Sequence, residues 1–172
     1  GQDALLSLAG PANKQGRIAA DNICGGDSRY AGSQGSSILK VFGLTAAVTG
    51  ISETAAKEAG LDADSVVLSP MSHAGYYPGG KVMTMKVVFE RGTYRLLGAQ
   101  IMGYEGVDKR IDVLAAALRA GLKATELKDL DLAYAPPYSS AKDPVNMAGF
   151  MIENIAHGIL KQWHLADADT LP

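Results

Sequence analysis

The stretch from Lys81 to Gly103, KVMTMKVVFERGTYRLLGAQIMG, constrains this chain more than any other. Its two arms, residues 81–90 and 93–103, are dense in aliphatic and β-branched residues, and Arg91-Gly92 between them has the length and the glycine of a hairpin turn. Residues 65–69, SVVLS, read as a third antiparallel strand. A sheet of this kind buries at least one face, and the helical patterns that follow supply a cover. Val107, Ile111, Leu114, Ala115 and Leu118 recur on one helical face up to Gly121, with Asp108-Lys109-Arg110 assigned to the opposite, polar side. A second helix opens at Asp143-Pro144 and runs through Met147, Met151, Ile155 and Ile159. Strands followed by helices predict an α+β fold, an antiparallel sheet with helices packed on one face.

The flanking sequence is punctuated by glycine and proline. Pro11, Ile18, Ala19, Asn22 and Ile23 predict a helix over 11–24 that Gly25-Gly26 stops. GGDSRYAGSQG, residues 25–35, has the composition of a loop or module boundary. Residues 36–51 read as one buried strand bent at Gly43, and Ser52 to Gly60 as a short capped helix. Pro136-Pro137 bar a helix from their part of 122–142 and push Ala135 toward extended backbone.

Composition narrows the function classes. With 172 residues and net charge −2, the chain suits one domain with appendages and lacks the basic footprint of a nucleic-acid binder. No apolar run approaches the roughly 20 residues of a membrane span. Cys24 is the sole cysteine, which excludes an internal disulfide, a CxxC pair and a cysteine zinc site; it reads as a packing residue at a helix end, and the chain as cytoplasmic. His157 and His164 have no partners at ligand spacing, so no metal site is expected. His73 reads as a local hydrogen-bonding helper, and Met83, Met85, Met102, Met147 and Met151 as core or interface filler.

Three motifs carry a resemblance: LAGPANKQGRIAADNI at 8–23, SHAGYYPGGK at 72–81, placed inside the sheet, and YAPPYSSAKDPVNMAGF at 134–150. In this order they resemble the C-terminal part of the FAD- and NAD(P)H-dependent pyridine nucleotide-disulfide oxidoreductases, in the branch of coenzyme A-disulfide reductases and NADH oxidases. The resemblance implies that residues 1–34 are the end of an FAD-binding domain, 35–160 a dimerisation domain, and 161–172 a linker of the kind that leads to a rhodanese domain in some members. The family's GxGxxG fingerprint and redox cysteine are absent, so the chain is expected to be a fragment without turnover of its own.

The same resemblance distributes roles. Tyr134 and Tyr76, or its neighbour Tyr77, would be catalytic phenols reaching the partner subunit's site in a homodimer. Asn13, Tyr134 and Pro136 would lie at the flavin. Asn13, Lys14 and Lys142 would contact a small-molecule disulfide or persulfide, with coenzyme A as the ligand. Lys142 precedes a helix N-terminus, and the two together would attract phosphate. Two prolines hold the aromatic segment stiff, which lowers the entropy lost on docking. An NADH oxidase or peroxidase, and a non-catalytic dimeric binding module, are the competing expectations.

Overall fold

The hairpin at the centre of the sequence is the centre of the sheet. The computed structural model describes residues 5–164 and 167–168. Its elements are α1 (Ala9–Ile23), β1 (Ser37–Val41), β2 (Leu44–Gly50), α2 (Glu53–Glu58), β3 (Ala63–Leu68), β4 (Met83–Glu90), β5 (Leu96–Gly103), α3 (Val107–Ala120), a 3-10 turn (Ala124–Asp129) and α4 (Pro144–Ala156). Among the described residues the strands form one antiparallel five-stranded sheet in the order β1-β2-β5-β4-β3. The α+β expectation holds.

Period-2 alternation decides what each face does. Val66, Met85, Val87, Ala99 and Ile101 point to one side, where Ile111 and Leu114 of α3 and Val145, Ala148 and Ile152 of α4 complete the core. The long helices thus cover that face. Val88 and Leu97 point to the other side and pack with Ala56 of the short α2, and Lys86 on that side pairs with Glu53 at 2.7 Å. Away from α2 this second face is open. Leu39, Ala46 and Met102 lie in one cross-strand row, and Leu39 and Met102 are half exposed.

Several local expectations are corrected. Residues 36–51 are two strands joined at Phe42-Gly43, not one bent strand, and every residue of β1 is exposed. Phe42 takes a left-handed φ of 52°, which is unusual for a residue with a Cβ and hides the turn from propensity reasoning. The turn between β4 and β5 spans residues 91–95, closed by Tyr94 N–H on Glu90 O at 2.9 Å, with both Gly92 and Tyr94 at positive φ. SHAGYYPGGK is the loop between β3 and β4 and lies outside the strands. The last helix stops at Ala156, before Ile159, where Gly158 turns left-handed. Cys24 caps the end of α1 and is exposed rather than packed.

The sequence after α4 bends back. Gln162 donates to Asp64 Oδ1 and to Ser65 O on the edge strand β3, and His164 Nε2 lies 2.9 Å from Asp64 Oδ1. Burial alone would raise the Asp64 carboxyl, but the Ser65 N–H, His164 and Arg91 outweigh it and hold the group below the usual carboxylate range. The rest of the expected linker, residues 165–166 and 169–172, lies outside the described residues.

Candidate active-site segment

Two loops that are distant in sequence meet at one end of the sheet. The first, residues 69–82, is closed at its neck by Ser72 N–H on Lys81 O (2.8 Å) and by Lys81 N–H on Ser72 Oγ (3.1 Å). Buried His73 braces it from within. Pro78 O can only accept, so His73 Nε2, 3.2 Å away, carries the proton and Nδ1 accepts from the Ser72 hydroxyl at 3.1 Å. Here the local-helper reading of His73 matches the geometry. Its ring also meets Tyr77 edge-on at 5.6 Å between centroids.

The second loop runs from the 3-10 turn into α4. Pro136-Pro137 sit in the middle of a tight turn closed by Tyr138 N–H on Ala135 O at 2.9 Å, with Pro136 at the second position of the turn, where proline's fixed φ is suited. The loops are joined by Ala74 N–H donating to Ser139 O at 2.8 Å. At the rim of that junction the hydroxyls of Tyr76 and Tyr134 are 2.8 Å apart, with Tyr76 76 % and Tyr134 46 % exposed. The hydrogen bond shared with Tyr76, and then partial desolvation, raises the Tyr134 phenol above its ordinary value, so it stays protonated at neutral pH.

Beneath the pair lies a charge that sequence reasoning put on the wrong side. Arg110 is 1 % exposed and stands on the apolar stripe of α3, three residues after Val107 and four before Leu114. Its Nη2 donates to Ser72 O (2.9 Å), Tyr138 O (3.3 Å), Ser139 Oγ (3.2 Å) and Asp143 Oδ2 (3.0 Å), and its Nη1 to Gly106 O (3.1 Å). Asp143 is buried as well. Burial pushes its carboxyl up, but the Ser139 hydroxyl, the Val145 N–H and Arg110 together hold it below the usual range. Helical spacing was the available signal for Arg110, since positions i+3 and i−4 to core residues face inward.

Lys142 falls beside this cluster with its ammonium 6.0 Å from the Phe150 ring centroid. The helix N-terminus behind it is already capped, because Asp143 Oδ1 accepts from Val145 N–H at 3.0 Å. That cap takes up one of the helix-end N–H groups that the sequence expectation joins with Lys142. Asn13 and Lys14 are elsewhere. They line a groove of about 860 Å³ between α1, residues 29–36 and α3, together with Arg17, Arg29, Asp112 and Arg119. Asn13 Nδ2 is engaged with Ala9 O at 2.9 Å within α1. Tyr76, Tyr134, Pro136 and Lys142 do not line that groove. Among the described residues no cluster of metal-ligating side chains occurs, and no helix is long and apolar enough to cross a membrane.

Comparison with known proteins places the chain. Residues 36–145 match the family model of the pyridine nucleotide-disulphide oxidoreductase dimerisation domain, and the chain belongs to that family. It is 38 % identical over 148 residues to a coenzyme A disulfide reductase of Staphylococcus aureus (strain bovine RF122 / ET3-1), covering 86 % of this chain and 33 % of that protein. The crystal structure of reduced Bacillus anthracis CoADR-RHD superposes with a TM-score of 0.94 at 45 % identity, covering 98 % of this chain and 30 % of the other. A NAD-dependent persulfide reductase from A. fulgidus gives 0.93 at 41 % identity, with 97 % and 31 % covered. The chain thus spans about a third of the length of the relatives it matches.

Proposed function

We propose that this chain is the dimerisation and site-completing part of an FAD-dependent, NAD(P)H-driven reductase of coenzyme A disulfide or persulfide. One observation carries the reading. Two phenols 58 residues apart in sequence share a hydrogen bond at an exposed rim, with one of them held protonated. Such a pair suits the neutralisation of a thiolate as it departs from a cleaved sulfur–sulfur bond. Bound FAD and pyridine nucleotide would supply the two electrons for that cleavage. Tyr134 donates the proton to the leaving sulfur, and Tyr76 keeps the Tyr134 hydroxyl oriented and can pass it a replacement.

The separation of the residue sets supports a site shared between subunits. The groove holding Asn13 and Lys14 belongs with the chain's own FAD-binding domain, residues 1–34 being its end. Tyr76, Tyr134, Pro136 and Lys142 belong to residues 35–160 and face the partner's flavin and substrate. The groove fits a nucleotide-bearing ligand: the first turn of α1 has neither a side-chain cap nor an acidic residue, and Lys14, Arg17, Arg29 and Arg119 supply positive charge. The half-exposed row of Leu39 and Met102 has the apolar character of a subunit contact. Residues from 161 onward act as the start of a linker, with Gln162 and His164 tethering it to β3, and the enzyme works in the cytoplasm.

Steady-state assay of the intact enzyme with NADH and coenzyme A disulfide tests the reading. Tyr134→Phe lowers kcat by on the order of a hundredfold, the lower end of what a positioned general acid contributes, and Lys142→Ala raises KM. A Tyr134→Phe enzyme turning over coenzyme A disulfide at the parent rate would overturn it.

A further inference from the structure

Arg110 is more than a buried ion. A guanidinium removed from water is a poor stabiliser unless every donor is used and its charge is matched. Each of Arg110's three nitrogens has an acceptor and Asp143 matches its charge, while Nη2 alone reaches three separate pieces of chain. These are the neck of the first loop (Ser72 O), the turn of the second (Tyr138 O and Ser139 Oγ) and the head of α4 (Asp143). Four of these contacts come from a single nitrogen, so the two loops cannot shift relative to each other without breaking them. Lys109, the preceding residue, donates to Ala133 O at 3.2 Å and approaches Asp143 Oδ2 at 3.7 Å, holding the peptide just before Tyr134. His73 and Ser72 lock the other loop internally, so its position relative to the second loop rests on Ala74 and Arg110.

We infer that Arg110 is the positioning residue of the tyrosine pair: its buried guanidinium joins the loops bearing Tyr76 and Tyr134 and fixes their hydroxyls within hydrogen-bond distance. Its hydrogen bonds reach neither phenol, and it acts through the backbone of the two loops. Lysine cannot replace it, because a lone ammonium lacks the further nitrogens through which Nε reaches Asp143 Oδ1 (3.4 Å) and Nη1 reaches Gly106 O (3.1 Å), and so loses the fork that holds the guanidinium in register. The kinetic consequence rests on the role given to Tyr134 and Tyr76 above, whereas the geometric part does not.

The intact enzyme separates the two. In protein labelled with 3-fluorotyrosine, and assigned with the Phe variants, Tyr76→Phe shifts the ¹⁹F resonance of Tyr134 because the hydroxyl contact is lost. In the Arg110→Lys background that response disappears. A response retained in Arg110→Lys overturns the positioning role, whatever the rates. In the kinetic arm, Arg110→Lys lowers kcat for coenzyme A disulfide by about tenfold to a hundredfold, the scale of a 1 Å misplacement, and leaves KM within about twofold, since truncation remote from the substrate leaves ground-state binding alone. Arg110→Lys combined with Tyr134→Phe is no slower than Tyr134→Phe alone. Multiplying effects overturn the inference, while tyrosine variants at the parent rate overturn only the catalytic reading. Should Arg110→Lys fail to fold, the pair Arg110→Met with Asp143→Asn removes both charges together, leaves no buried ion unpaired and keeps an oxygen to cap α4 through Val145 N–H. Loss of the Tyr76–Tyr134 response in that protein supports the role, and its retention overturns it.

Discussion

Gly149→Ala tests whether the packing that seats the second loop is as tight as its geometry indicates. Gly149 lies on the face of α4 that meets the 3-10 turn, and a Cβ there would fall 2.3 Å from Lys128 N, 2.9 Å from Leu127 C and 3.0 Å from Lys128 Cα. These are backbone atoms that cannot rotate away. In a free helix the change would gain about 1 kcal/mol of propensity. Here an ordinary separation of roughly 3.5 Å requires α4 and the turn to part by about 1 Å. That gap loosens Leu127, Ala148 and Ile152, all fully buried. It also stretches the bonds from Asn146 Nδ2 to Leu127 O (3.0 Å), Lys128 O (3.4 Å) and Leu130 O (2.9 Å). Overpacking costs about 1–3 kcal/mol, and weakening of the Asn146 bonds, two hydrogens shared among three acceptors, costs about another 2 kcal/mol in all. Set against the propensity gain, the net loss is about 2–4 kcal/mol. For a chain of this size that lowers the melting temperature by roughly 5–10 °C. Circular-dichroism melts of Gly149→Ala beside Gly16→Ala form the assay. Gly16 sits in α1 with nothing within 4 Å of the added Cβ, so it should melt no lower than the parent. A Gly149→Ala protein that melts with or above the parent refutes the packing argument.

Two further outcomes follow from the fold. Burial opposes ionisation of Glu53, yet hydrogen bonds from Lys57, Lys86 and Ser65 lower its carboxyl from 4.5 to about 2. Because the folded value lies below the unfolded one, this stabilisation is complete above about pH 4.5 and is lost as pH falls toward 2. Allowing for solvent screening it amounts to about 1–2 kcal/mol, so the stability gap between parent and Glu53→Gln in urea unfolding should close between pH 5 and pH 2; a gap unchanged over that range sinks it. Met102→Glu places a carboxylate in the half-exposed row of the open sheet face. It should leave the fold intact by circular dichroism while shifting sedimentation of the intact enzyme from dimer toward monomer, and an undisturbed dimer would remove that face from the subunit contact.

What the sequence made legible follows from which interactions are local. α3 and α4 show in apolar spacing, α2 in its Ser52 cap, which accepts from Ala55 N–H, and β4 and β5 in dense aliphatic runs. The β1–β2 hairpin was not legible because β1 buries neither face and so has no alternation to display, and because its turn is made by Phe42 in a glycine-like conformation. At the site the limit has a different cause. Motif resemblance alone links Tyr76 and Tyr134 in the sequence, since no spacing rule joins positions 58 residues apart; in the fold the Tyr76 hydroxyl meets that of Tyr134, while Tyr77 packs against His73. Arg110 shows the converse failure, for its position in the helix pointed inward while its charge pointed outward. The charge could be buried because Asp143, itself an ordinary helix cap in sequence, presents its second oxygen to the guanidinium. One aspartate thus starts α4 and neutralises the ion that ties both tyrosine loops together. This double use explains why the SSAKDP half of the segment serves the YAPP half: the cap fixes where α4 begins, the cap's charge fixes Arg110, and Arg110 fixes the loops from which the two phenols project.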